Sequence, residues 1–151
     1  MKPLPAMLVA VSLLSGCYSA GVTKEPKWVG FGVAARAEDG PVKTEDYPYF
    51  GTAHTEADRA VLVPPILRCR VQSVSDSLDR FGEPAVTVEL DERDKPAYEA
   101  FTAEHVGEVM AVLVDGKVVM QATVGEKLPG LFSLSGKFSA AEYAALKASL
   151  E

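Results

Sequence analysis

The stretch formed by residues 109–123 constrains the fold more than any other part of the chain. It consists of two apolar runs joined by Asp115-Gly116. An Asp-Gly pair between such runs predicts a two-residue β-hairpin, because both central residues of a type I′ turn need positive φ. Residues 110–114 are apolar at every position, which is typical of an interior strand covered on one face and shielded on the other.

Five further strands are predicted from shorter apolar or alternating runs. The second of them is stopped by Pro64-Pro65, since proline lacks the N–H that a sheet needs. The fourth alternates cleanly, so its three apolar side chains share one face. In chain order, the five strands are residues 28–36, 60–63, 69–77, 85–90 and 131–135.

Two helices are predicted, the first over residues 94–106. Asp94 is placed to cap its N-terminus, and Gly107 can end it in a left-handed conformation. The second helix begins at Ser139, with Glu142 completing a capping box. The apolar stripes are Ala97, Ala100 and Phe101 in the first helix, with Tyr98, Thr102 and His105 on an adjoining stripe, and Tyr143, Leu146 and Leu150 in the second.

This order of elements predicts an α+β fold. The two amphipathic helices would pack on one face of a largely antiparallel sheet. Without a cleaved N-terminal segment, which is described below, the remaining chain has a length that suits a single domain. That domain is predicted to span residues 28–151.

Residues 37–59 form the longest stretch predicted to be irregular. Such stretches are either functional or mobile. The aromatic group Tyr47, Tyr49 and Phe50 could form a partner-binding patch, or could pack down on the core as a lid. Gly40 also lies here, and substitution to valine is expected to be tolerated better there than at Gly116.

The N-terminal residues predict that the protein is located in the bacterial envelope. Lys2, a short apolar run over residues 4–14 and the sequence Ser15-Gly16-Cys17 describe a signal peptide over residues 1–16, because the run is too short to span a bilayer. The ending resembles a lipobox, which would make Cys17 the site of lipidation by palmitate-type acyl chains. The alternative is an ordinary secretory peptide with an incidental cysteine.

Lipidation would tie the domain to a membrane, facing the periplasm, through a tether of residues 17–27. Two or more acyl chains anchor a protein stably. Tyr18 follows the cysteine, where inner-membrane retention in many Gram-negative bacteria uses aspartate. The outer membrane is therefore the expected location.

Composition excludes several classes of function. The net charge of −6, without a basic cluster, argues against nucleic acid as a partner.

With Cys17 acylated, Cys69 would have no disulfide partner, and it is interpreted as a small buried hydrophobe rather than a reactive thiol. Asp91, Glu92 and Asp94 lack the spacing of a calcium loop, which favours a solvated helix start over a cation site.

No arrangement of residues predicts catalysis, a metal site or a cofactor. His54 and His105 are the only histidines, and neither has metal-ligand spacing to a cysteine or carboxylate. Phosphate-binding loops and nucleophile elbows are missing from the sequence. A non-enzymatic function is therefore expected, with a hydrolase whose site is assembled only in space as the minor alternative.

From about residue 71 to residue 150 the sequence resembles the head of the first periplasmic domain of SecD, a membrane subunit that assists protein export. The resemblance rests on structural motifs, so it indicates a fold better than an activity. The matching segments are residues 85–90, Phe101-Thr102 with Val106-Gly107, the hairpin 110–119, and residues 134–142 leading into an Ala/Leu helix.

The resemblance implies a module that contacts polypeptides emerging in the periplasm. Membrane spans and the base part of that periplasmic domain have no counterpart in this sequence, and Gln121-Ala122-Thr123 stands where the family usually has a proline. Proton-driven export is therefore not carried over. The leading hypothesis is an anchored module that binds unfolded polypeptides, and the alternative is an assembly lipoprotein that binds one folded envelope partner.

Overall fold

The computed structural model describes residues 24–151, so the predicted signal peptide, Cys17 and most of the tether lie outside the described residues. The described part contains seven strands and two α-helices, which confirms the α+β fold class. The elements are β1 (Trp28–Ala34), β2 (Glu45–Pro48), β3 (Arg59–Leu78), β4 (Pro84–Leu90), α1 (Lys95–Glu104), β5 (Val109–Val114), β6 (Lys117–Thr123), β7 (Leu131–Leu134) and α2 (Ala140–Leu150).

The strands form one sheet in the order β6-β5-β1-β3-β4-β7, with β2 paired to the first part of β3. All these ladders are antiparallel. The predicted hairpin is confirmed, since Asp115 and Gly116 have φ of 50° and 74°. Strand β5 lies between β6 and β1 and is buried at five consecutive positions, as its unbroken apolar run predicts.

Strand β3 is one continuous element of 20 residues, whereas the sequence predicted two short strands. Pro64 and Pro65 do not end it. Between the pairs Phe31–Leu67 and Val33–Val63, β3 has two more residues than β1, so the prolines sit in a bulge where no ladder N–H is required. Gly32 lies opposite this bulge, and a Cβ there would come within 2.6 Å of Ile66 Cδ1, so glycine at this position makes room for the Ile66 side chain.

The stretch predicted to be irregular contains a paired strand. Strand β2 aligns with Arg59 to Leu62 of β3, beginning with the pair Glu45–Leu62. Its Glu45 and Asp46 side chains are exposed, so no hydrophobic alternation marks it in the sequence. Beyond β2 the chain reaches β6, where the Phe50 N–H donates to the Val118 carbonyl at 2.8 Å. The sheet therefore curls until β2 meets β6.

The two faces of the sheet carry separate apolar clusters. The larger one lies under both helices and includes Leu146 and Leu150 of α2. The smaller one lies inside the curl, around Leu62, Leu113 and Val118. In α1 the buried residues are Tyr98 and Thr102 rather than the predicted stripe of Ala97, Ala100 and Phe101, of which the two alanines are exposed.

Asp94 stands at the N-terminus of α1 but does not cap it. Its carboxylate instead accepts three hydrogen bonds from Arg70 in β3, from the backbone N–H, Nε and Nη2, at 2.7–2.9 Å. Nearby Asp91 pairs with Arg93, and Glu92 with Lys95. The Arg70–Asp94 pair thus joins the start of the helix to the sheet, while Glu92 and Arg93 remain largely exposed, in agreement with the predicted solvated start.

Cys69 is fully buried, as the sequence analysis expected. It lies in the larger cluster beside the helices. Burial raises the pKa of its thiol to about 12, which keeps it protonated and unreactive at neutral pH.

Replacing Gly116 by valine should destabilise the protein through its turn. A β-branched residue is strained at a φ of 74°, and we expect the free energy of unfolding to fall by about 1–2 kcal/mol. Gly125→Val is the matched control, because Gly125 does not have positive φ and a Cβ there meets nothing within 4 Å. Urea denaturation measures both, and equal midpoints would contradict the turn assignment.

Gly40 does not serve as a tolerant control, contrary to the expectation from sequence. It has φ of 68° and ψ of −155°, a region that is essentially restricted to glycine. Its valine variant should therefore be destabilising as well.

The Arg70–Asp94 pair should make stability depend on acid. Hydrogen bonds from Arg70 lower the pKa of Asp94 in the folded state. The stability that ionised Asp94 contributes is present above its pKa in the unfolded chain, near 3.9. This stability is lost as the pH falls through the lower pKa of Asp94 in the folded protein. Asp94→Asn should therefore flatten the decline of unfolding free energy below about pH 4. The exposed Asp46→Asn should keep the original decline when both are compared by urea denaturation across pH.

Candidate functional site

A groove of about 420 Å³ runs beside strand β6 and is named here the edge groove. One wall is the segment that follows β2, and the other is the loop between β7 and α2. The floor is β6 itself. Its lining residues are Tyr49, Phe50, Ala53, His54, Val118, Val119, Met120, Gln121, Ser135, Gly136, Lys137 and Phe138.

The first wall is fixed to β6 by the backbone. Tyr49 forms an isolated bridge with Val118, and Phe50 donates its N–H to the same residue. Past this point the chain leaves β6, and Gln121 at the far end of the groove is exposed on an edge strand. The ring of His54 stacks on Tyr49 with 4.0 Å between centroids, which stiffens the wall.

The second wall depends on Phe138, just before α2. Its backbone N–H donates to the Gly136 carbonyl at 3.0 Å, and its ring lies over Gly136, where a Cβ would come within 2.9 Å of Cζ. Across the groove, Phe50 meets Phe138 edge to face at 5.4 Å between centroids. The two rings therefore close one end of the groove, and glycine at position 136 makes room for this arrangement.

Glu142 joins the two walls. It completes the predicted capping box of α2, since its carboxylate accepts from the Ser139 N–H at 2.9 Å while its own N–H donates to Ser139 Oγ. The other carboxylate oxygen accepts from the Thr52 N–H at 2.8 Å. These bonds, led by the one from Ser139, lower the pKa of Glu142 and keep it ionised at neutral pH.

The chemistry of the groove suits binding. Its lining contains one charged residue, Lys137, and its other side chains are aromatic, aliphatic or neutral. Within residues 24–151 no group of three metal-ligating side chains occurs. A strand edge beside aromatic walls can pair with an extended chain and bury its side chains.

The predicted partner-binding residues separate in the structure. Tyr49 and Phe50 line the edge groove, half-buried. Tyr47 packs instead against the smaller cluster and donates its hydroxyl to Glu45 at 2.7 Å. Each of the three aromatic residues packs on a core cluster, as a lid would, and each remains partly exposed, as a binding patch would. Their role in binding stays a prediction.

Sequence reasoning missed Met120 and Phe138 as groove residues. Met120 was counted only as part of an apolar hairpin strand. Phe138 stands in Ser-Gly-Lys-Phe-Ser, directly before the capping box. A phenylalanine between a glycine and a helix cap was the available signal, but its position across from Phe50 depends on how far the sheet curls.

Within the described part of the chain, four other cavities are larger than the edge groove, at about 450, 550, 640 and 800 Å³, and the two largest lack this combination of features. One, of about 640 Å³, lies against Pro64 and Pro65 of β3, which offer no N–H to a guest strand. The other, of about 800 Å³, lies between the β3–β4 turn and the start of α2. Neither contains any of the three predicted aromatic residues.

The sequence profile of the family described as SecDF, P1 head subdomain, matches residues 57–151, which is more than half of the chain. The chain belongs to this family. The P1 head match begins before residue 71, where the resemblance predicted from the sequence begins, and so takes in the whole of β3 and both helices. The family assignment therefore covers one wall of the edge groove and its floor.

Solved structures show the same fold. A membrane component SecDF that enhances protein export matches with a TM-score of 0.64 at 16% identity, over 83% of this chain and 62% of that chain. SecDF in a super-membrane-facing form matches with a TM-score of 0.63 at 17% identity, over 82% of this chain and 18% of that chain. No curated protein matches the chain significantly.

The present chain thus spans less than two thirds of either SecDF structure. At these identities the likeness defines the P1 head fold alone. Among residues 24–151, no helix has both the length and the apolar character to cross a bilayer.

Proposed function

We propose that this P1 head is a non-enzymatic module of the bacterial envelope that binds extended polypeptide segments in the edge groove. The observation that carries the proposal is the edge of β6 beyond Val118, which is exposed at Gln121 where the Tyr49–Phe50 wall leaves the strand. A guest strand placed there would pair with the main chain of β6, as in β-strand addition.

Such binding would depend little on the sequence of the guest. Main-chain hydrogen bonds supply affinity in strand addition, and side-chain pockets supply what selectivity there is. Phe138 and Tyr49 are the residues that contact guest side chains. Because Lys137 is the only charged residue in the lining, affinity should change little with salt.

A role in protein export is the biological context proposed here. It is supported by membership of the P1 head family and by the solved SecDF structure, whose own function is the enhancement of protein export. In this proposal Cys17 carries a lipid and holds the P1 head at the periplasmic surface of a membrane, the outer membrane by the identity of Tyr18.

The second candidate is an assembly lipoprotein with one folded partner. Tyr47 favours it, because this aromatic residue is half-exposed outside the edge groove. Crosslinking in intact cells followed by mass spectrometry separates the two candidates. Many unrelated clients support polypeptide binding, and one repeated partner supports assembly.

Removing the Phe138 ring should weaken peptide binding. With a neutral synthetic peptide of alternating valine and threonine, Phe138→Ala should lower affinity about tenfold, or roughly 1.4 kcal/mol. Val106→Ala is the control, since Val106 is exposed and lines neither the edge groove nor the cavity that adjoins Phe138. Fluorescence anisotropy measures affinity, and thermal melts show that both variants are folded.

The same peptide tests main-chain pairing directly. Methylating alternate backbone nitrogens on the face that meets β6 removes the N–H donors and should abolish binding. Methylating the other alternate set should have little effect. Equal losses from both sets, or unchanged affinity for Phe138→Ala, would contradict strand addition in the edge groove.

Replacing Cys17 by serine should release the domain from the membrane or leave the precursor uncut. The physical reason is that serine has no thiol to be acylated. Metabolic labelling with a palmitate analogue and fractionation of the envelope measure both effects. Label that persists on Cys17→Ser would contradict lipidation, and recovery of the unmutated protein with inner membranes would contradict the outer-membrane location.

A further inference from the structure

The turn between β3 and β4 presents two apolar side chains to solvent, and it is named here the hairpin tip (residues 78–83). Leu78 and Phe81 are 69% and 73% exposed, more than any other large apolar residue that the structure describes. Neither lines the edge groove. Large apolar side chains at the end of a long hairpin offer a surface that a membrane or a partner could cover.

The hairpin tip is a preformed turn. The Asp79 N–H donates to the Glu83 carbonyl at 2.8 Å, and the Gly82 N–H donates to the Asp79 carbonyl at 3.0 Å. The Asp79 carboxylate accepts from the N–H groups of Phe81 and Glu83 at 2.8 and 2.9 Å. Phe81 is thus presented on a braced turn, so little conformational entropy is lost when it is buried.

The N-terminal segment runs toward this tip. Trp28 pairs with Arg70, and the Val71 N–H donates to the Lys27 carbonyl at 2.8 Å. Because β1 and β3 are antiparallel, the residues before Trp28 continue along β3 in the direction of the turn. Lys24 accordingly lies with Val74 in one surface cavity.

Chain length limits where a membrane anchored at Cys17 can be. Six residues lie between Cys17 and Lys24, and the seven peptide units that join these two residues span at most about 25 Å when fully extended. From Val74, four further residues of β3 lead to Leu78 at the start of the hairpin tip, a distance of about 13 Å. The hairpin tip is therefore within reach of the same surface, whereas Val106 follows α1 near the opposite end of the sheet.

We propose that the hairpin tip docks on the lipid bilayer to which Cys17 attaches the chain, with Phe81 and Leu78 inserted at the level of the headgroups. This inference rests on the proposed lipid anchor. The Arg80 guanidinium lies 4.7 Å from the centre of the Phe81 ring and would contact lipid phosphates, while the carboxylates of Asp79 and Glu83 oppose that attraction. Apolar insertion therefore provides the affinity, and the contact should form on zwitterionic as well as anionic lipid.

Anchoring makes so small a surface sufficient. Two apolar side chains bind a bilayer weakly in free solution, but a short tether raises the effective concentration of the tip at the surface to the order of millimolar. Docking would fix the orientation of the domain on the membrane. Docking would also bring the second wall of the edge groove close to the membrane, because Phe81 and Phe138 line one cavity of about 800 Å³, whereas β6 and the first wall lie outside that cavity.

The test uses residues 17–151, the mature chain of the proposed lipoprotein, coupled to vesicles through the Cys17 thiol by a maleimide-bearing lipid. Cys69 is fully buried and stays unmodified. In a Trp28→Phe background, tryptophan is introduced by Phe81→Trp or, as the matched control, by Val106→Trp, another exposed position. Vesicles of phosphatidylcholine, with and without phosphatidylglycerol, contain brominated lipid as a short-range quencher.

We expect Phe81→Trp to lose roughly half of its emission in brominated vesicles, because an inserted ring lies at the acyl boundary. Val106→Trp should keep its emission. Unquenched emission at position 81, or equal quenching at both positions, overturns the proposal. A blue shift that grows with protein concentration without vesicles also overturns it, in favour of contact between copies of the chain.

The outcomes separate docking from the proposed function. The vesicle assay supplies the anchor chemically, so it does not depend on acylation in cells. Mass spectrometry of Cys17 from the envelope tests the anchor, and peptide affinity tests the edge groove. The docking proposal is contradicted if the emission of tryptophan at position 81 is not quenched, even where Cys17 is acylated and peptides bind in the edge groove.

Discussion

Strand β3 is the element on which the rest of the structure depends. Its 20 residues pair with β2 and β1 in the first part and with β4 in the second. Its Arg70, between the two parts, holds the Asp94 carboxylate at the start of α1. One strand thus fixes the sheet, the first helix and, through its last residues, the hairpin tip.

The curl of the sheet produces the candidate site. A flat sheet would leave β2 and β6 at separate positions, but the bulge at Pro64 and Pro65 increases the local twist of β3. Phe50 then reaches the Val118 carbonyl, and Phe138 closes the opposite wall. The same curl buries Leu62 and Leu113 in the smaller cluster, so the groove and the second core have one structural cause.

The sequence predicted elements more reliably than it predicted their partners. The Asp-Gly turn, the capping box of α2 and the alternation of β4 are local signals, and each is confirmed. Strand β2 was missed because its pairing uses the backbone of polar residues. The sequence predicted that Asp94 caps the helix. The prediction was wrong because Arg70, which binds the Asp94 carboxylate, lies 24 positions away and approaches it only in the folded chain.

By itself the sequence determined the hairpin, the order of the main elements and membership of a P1 head type of fold, because turns, caps and apolar periods are set within a few residues. It also determined that Cys69 is buried, because a lone cysteine among apolar residues behaves as a small hydrophobe. The tertiary structure alone decided that β3 runs through two prolines and that Tyr49 and Phe50 share a groove with Phe138 while Tyr47 does not. It also decided which stripe of α1 is buried. These features depend on register and sheet curvature, which arise from contacts between residues far apart in the chain.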